Sequence, residues 1–113
     1  MAAVTFANPD FNPIPDLRAY GFIPTSGYRT PAHQAALVAQ GLTKTKFGSH
    51  QRGDGLDFNV PAGMTKQQAI AQVLKQYPGA RAIPSNGNAI HVTFPGWRNA
   101  PDISGSRRRY GGN

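Results

Sequence analysis

The chain has 113 residues, no cysteine, and twelve lysines and arginines against five acidic residues, a formal net charge of +7. Its sequence pI is near 10.4. That length suits one domain with a single modest core, and the lack of cysteine excludes a disulfide framework. No apolar run approaches bilayer-spanning length, and the first residues lack the basic-then-apolar pattern of a secretory signal. Membrane insertion is therefore not expected, and export would need another carrier.

Residues 1–16 form an Asn- and Pro-rich arm in which Pro9, Pro13 and Pro15 oppose a regular helix. Phe6, Phe11 and Ile14 are available to pin it to a core. Residues 17–23 read as a short helical turn and an extended segment, and Ser26–Arg29 as a strand end or turn. Thr30 fits an N-cap, Pro31 the first helical position and Gly41 a stop. Ala35, Leu37, Val38 and Ala39 are available for packing on that helix, with His33 on its surface. A polar, basic loop with Lys44 and Lys46 then delivers His50.

Leu56, Phe58 and Val60 alternate with Gly55, Asp57 and Asn59, the period of a half-buried strand. Thr65-Lys66-Gln67-Gln68 has capping-box form, and Ala69, Ile70, Val73, Leu74 and Tyr77 make the apolar stripe of a helix that Pro78-Gly79 ends. A short strand over 80–83, a turn at Ser85-Asn86-Gly87 and a returning strand over 89–94 complete the sheet. Residues 98–113, with Arg107-Arg108-Arg109, read as an exposed tail. This order of elements predicts an α+β fold, a small antiparallel sheet flanked by helices.

The chemistry-bearing residues fall on the polar faces of those strands. Asp57 projects opposite Leu56 and Phe58, and His91 opposite Ile90 and Val92. His50 approaches from the preceding loop. A carboxylate held by a strand needs a partner, and a metal ion, Arg52 or Lys46 would each serve. Two imidazoles and one carboxylate with an open position make the ligand set of a catalytic zinc site. Taken singly, each histidine equally fits a surface or turn position, and Asp57 a salt-bridged carboxylate.

Ser26-Gly27-Tyr28-Arg29-Thr30-Pro31, then His50-x-x-Gly53-x-x-x-Asp57, then Ile90-His91-Val92, resembles in that order the M15 peptidases. These are zinc D-alanyl-D-alanine carboxypeptidases, dipeptidases and peptidoglycan endopeptidases, many of them phage lysis or virion enzymes. The likeness spans residues 17–97. It implies one zinc per chain on the open face of the sheet, held by His50, Asp57 and His91. Arg29 would bind substrate or stabilise the transition state, with Tyr28 and Ser49 as further substrate contacts. The implied partner is bacterial peptidoglycan, reached from a virion or through lysis machinery, in the periplasm or cell wall, by a monomer.

The chain departs from that pattern in three places. The usual serine two residues before the first ligand is replaced by Gly48, with Ser49 one place later, and Gly55 stands for the usual alanine. Where the family has its general base, a histidine two residues before the last ligand or an acid three before it, this chain has Ala89 and Asn88. Residue 89 shares a strand face with His91, so Ala89 marks the place of a missing catalytic histidine. Such a base is worth about 100- to 10,000-fold in rate. The chain is then a variant in which Ala89 replaced a histidine, an enzyme with its base elsewhere (Asp54 or His33), or a silent cell-wall-binding module. Tyr28, Phe47 and Trp97 would be available to line a binding groove. The positive charge also suits a nucleic-acid binder, through Lys44, Lys46, Arg52 and the terminal arginines. No helix carries a basic face, however, and no nucleic-acid motif is present.

Overall fold

Alternation in two segments builds the centre of the molecule. In a computed structural model describing residues 6–45 and 48–105, Gly55–Asn59 and Ala89–Thr93 pair antiparallel along their whole length, from Gly55 opposite Thr93 to Asn59 opposite Ala89. Leu56, Phe58, Ile90 and Val92 are fully buried on one face, and Asp57, Ala89, His91 and Thr93 share the other. The elements in chain order are α1 (Ile14–Ala19), β1 (Ile23–Ser26), α2 (Pro31–Ala39), α3 (Ser49–Arg52), β2 (Gly55–Asn59), α4 (Lys66–Gln76), β3 (Arg81–Pro84) and β4 (Ala89–Thr93). The four strands form one antiparallel sheet in the order β1-β2-β4-β3, so the fold is α+β.

The core lies behind that sheet. Ala69 and Val73 of α4 and Leu17 of α1 join the buried face of the strands, with Phe22, Phe94 and Trp97. Phe6 and Phe11 pack edge-on and tilted against Phe94, and Trp97 Nε1 donates to the Phe11 carbonyl at 3.1 Å. The arm is thus pinned as its aromatic residues suggest. Thr65 and Gln68 close the expected capping box on α4, at 2.9 and 3.1 Å. Leu74 of the apolar stripe stays 38% exposed.

Three local expectations are corrected. Prolines do not keep the arm free of helix, because Pro13 caps α1 and Pro15 lies in its first turn, where no N–H is needed. The helix crosses residue 16, where the arm was expected to end. On α2, Thr30 accepts from His33 N at 3.1 Å as a cap should, but Ala35 and Ala39 are exposed and it is His33 and Gln34 that are buried. Finally, residues 98–101 are not a free tail. Ala100 is buried, its N–H donates to the Gly53 carbonyl at 3.0 Å, and Tyr28 N–H donates to the Pro101 carbonyl at 2.8 Å. Lys46, Phe47 and Arg107–Arg109 lie outside the described residues.

Candidate functional site

The open face of the sheet floors a cavity of about 620 Å³, walled by α2, the 42–45 segment, α3 and the β3–β4 turn. Each of its central side chains is delivered by a distinct local device. Asp57 and His91 are register partners on β2 and β4, so they stand side by side on the same face. His50 comes from α3, a single helical turn rather than the expected loop. Gln51 Oε1 accepts from Gly48 N–H at 2.7 Å at its start. Gly53, left-handed at φ 87°, ends it, a conformation that other residues rarely adopt. Arg29 arrives through an irregularity in β1, where Pro24 and Ser26, not adjacent residues, oppose Phe58 and Asp57. Such bulges re-aim side chains beside sites.

The three sequence-predicted ligands converge. His91 Nδ1 lies 2.8 Å from Asp57 Oδ1 and His50 Nε2 lies 3.3 Å from Asp57 Oδ2. One ligand atom from each falls within 4.8 Å of the others, a group that could hold a metal ion. The donor chemistry fits a cation. His50 Nδ1 is 2.6 Å from the Gly27 carbonyl, which can only accept, so Nδ1 carries a proton, and Nε2 is directed at the carboxylate. His91 Nε2 is likewise engaged, by Ser49 Oγ at 2.8 Å and Thr93 Oγ1 at 3.2 Å.

Arg29 is tied down by three side chains. Its Nε donates to Ser26 Oγ at 3.0 Å, Nη1 to Gln34 Oε1 at 3.2 Å and Nη2 to Asp57 Oδ2 at 2.8 Å. Burial pulls its pKa below the ordinary arginine value, against the opposing pull of Asp57. Burial alone would raise the Asp57 carboxyl. The hydrogen bonds and charges of His50 and His91 outweigh it and hold that carboxyl well below the usual carboxylate range. Arg29, not Arg52, is therefore the cationic partner of Asp57. Arg52 turns to Asp54 at 3.4 Å instead.

Gln34 is the residue that sequence reasoning missed. Only 3% exposed, it accepts from Arg29 and, at 3.0 Å, from Gln51 Nε2, and donates to the Thr45 carbonyl at 2.5 Å. One buried amide thus joins α2, α3, Arg29 and the preceding loop. A glutamine one place after a histidine in an Ala-rich helix carries no local signal of that role.

Ala89 lines the cavity on the same face as His91, as the strand period predicts. Among the described lining residues, His50, Asp57 and His91 are the only histidines or acids. Asp54 is 4% exposed and His33 7% exposed, and neither lines the cavity. Neither replacement base considered is thus placed in the cavity, and His33 is not the surface residue expected. Tyr28 does not line the cavity either, and Trp97 is buried in the core. Ser49 lines it, but engages His91. No helix among the described residues is long and apolar enough to cross a membrane. Set against protein-family models, curated proteins and solved structures, the chain matches none.

Proposed function

We propose that the chain is a zinc peptidase of the M15 type, acting on the stem peptides or cross-links of bacterial peptidoglycan, with its proton-transfer step impaired at Ala89. The observation that carries this reading is the convergence of His50, Asp57 and His91 on the floor of an open cavity beside Arg29. A zinc ion held by those three would act as a Lewis acid toward a peptide carbonyl and bring the pKa of a bound water down to about 7. The chain's own residues do the rest. Arg29 stands next to Asp57 with a planar, permanently charged fork, suited to a substrate carboxylate or a developing oxyanion. Gln34 and Ser26 hold that fork in place. Leu37, Leu42 and Ile83 supply apolar walls against which a peptide side chain can lie.

What the described lining of the cavity lacks is a group to carry the proton to the leaving amine. Among the described residues the lining has no histidine or acid beyond the three candidate ligands, and the same observation favours a second reading, a cell-wall-binding module that does not turn over. One experiment separates them. Purified peptidoglycan is incubated with the zinc-loaded chain and with Ala89→His, and the fragments are analysed. Ala89→His is expected to cut at least about 100-fold faster than the present chain. If both are inert at full zinc occupancy, the peptidase reading fails and the binder stands. The same reading has the protein carried in a virion or released by lysis machinery.

A further inference from the structure

The three candidate ligands are not secured alike. His50 is anchored by a backbone carbonyl and Asp57 by the Arg29 guanidinium. His91 stands on a strand, and among the described residues its outer nitrogen bonds to hydroxyls, Ser49 Oγ at 2.8 Å and Thr93 Oγ1 at 3.2 Å. A ligating histidine almost always donates its second ring N–H to an acceptor, which fixes the tautomer and the ring's rotation.

The seat of Ser49 depends on residue 55. A Cβ on Gly55 would lie 2.8 Å from Ser49 Cβ and 3.0 Å from His91 Cε1, and would collide with Ser49 Oγ. Gly55 is also the register partner of Thr93. The missing side chain and the two hydroxyls therefore form one notch around the outer edge of the His91 ring. The serine displaced by one place and the glycine in place of alanine, separate oddities in the sequence, become a single device: the hydroxyl occupies the space an alanine methyl would take.

Resting on the metal-site reading above, we propose that Ser49, seated in the space Gly55 leaves, is a positioning residue that accepts the Nε2 proton of His91. It thereby presents Nδ1 to the metal. Thr93 is the secondary acceptor. The same bonds, with the proton on Nδ1 instead, have the connectivity of a serine–histidine–aspartate relay with Ser49 as nucleophile. Positioning is favoured because His50 and Arg29 also converge on Asp57, an arrangement such a relay does not need.

The test uses the full chain, stripped of metal and reloaded. Zinc affinity is measured by competition with a chromophoric chelator, and the imidazole nitrogens of the zinc-loaded protein by nitrogen-15 NMR. Ser49→Ala is expected to weaken zinc binding about 10- to 100-fold. Gly55→Ala, which keeps the hydroxyl but displaces it, should weaken it to a similar degree. In a Ser49→Gly background the added alanine should change affinity less than about twofold, the non-additivity of residues in contact. The His91 Nε2–H signal should shift in Ser49→Ala while the His50 signals stay in place, which a general loosening of the fold would not produce. Unchanged affinity in both single variants, with the unaltered chain binding zinc, overturns this inference alone. If the unaltered chain binds no zinc, the metal site falls and this inference with it. Covalent capture of Ser49 by a fluorophosphonate in the metal-free chain would assign the relay instead.

Discussion

The two faces of the sheet are made by the same strands and obey opposite rules. On the buried face, Leu56, Phe58, Ile90 and Val92 need only be apolar and of fitting volume, because their contribution scales with area removed from water. On the open face, Asp57, His91 and Ser49 contribute through distance and direction, and a shift of an ångström would separate atoms now 2.8 Å apart. The core is concentrated on one side of a single layer and the candidate site on the other. An exposed isoleucine, Ile83 at 58%, belongs to the second side despite its composition, since it pairs with His91 and lines the cavity.

That division can be broken by substitution. Phe58→Ala should cost about 3–5 kcal/mol in urea unfolding, a large part of the 5–15 kcal/mol typical of a domain. His91→Ala, one strand away on the other face, should cost no more than about 1–2 kcal/mol and, on the proposed metal-site reading, abolish stoichiometric zinc uptake, as should His50→Ala. Equal losses of stability from Phe58→Ala and His91→Ala would show that the faces are not distinct in this way.

The smallest effect sharpens the comparison behind the sheet. Tyr77 of the core side donates its hydroxyl to Asp16 Oδ2 at 3.0 Å, and its phenol is pushed up to about 12, first by burial and then by the bond to and charge of Asp16. A folded pKa raised above the unfolded value of about 10 gives stability that is complete below pH 10. It is lost as pH climbs from about 10 to 12. Asp16→Asn should lower the midpoint of phenolate absorbance in the folded protein and narrow that window. An unmoved midpoint would leave burial as the sole cause.

Periodic and capping signals made much of this legible in advance. The alternation around Asp57 and His91 places both on one face, and Thr30 and Thr65 cap their helices as local chemistry requires. What escaped was set by contacts distant in sequence. The burial of Gln34 goes with its bonds to Gln51 of α3 and to the Thr45 carbonyl, which nothing in the Ala-rich helix announces. Arg29, three residues beyond the irregular end of β1, pairs with Asp57 on a strand that lies far along the chain, while Arg52 is held locally by Asp54. Residues 98–101 look like polar linker, yet their backbone satisfies groups at Gly53 and Tyr28.

Those last two hydrogen bonds have a temporal consequence. The turn whose Gly27 carbonyl orients His50 is closed by Pro101, and the turn that ends α3 by Ala100, so the Tyr28 N–H and the Gly53 carbonyl wait for partners far downstream. While the protein is being synthesised, the pocket therefore stays unfinished until residues 100 and 101 have emerged. On the metal-site reading proposed above, cation capture would follow the closing of both turns and would not be a nucleus around which the rest condenses.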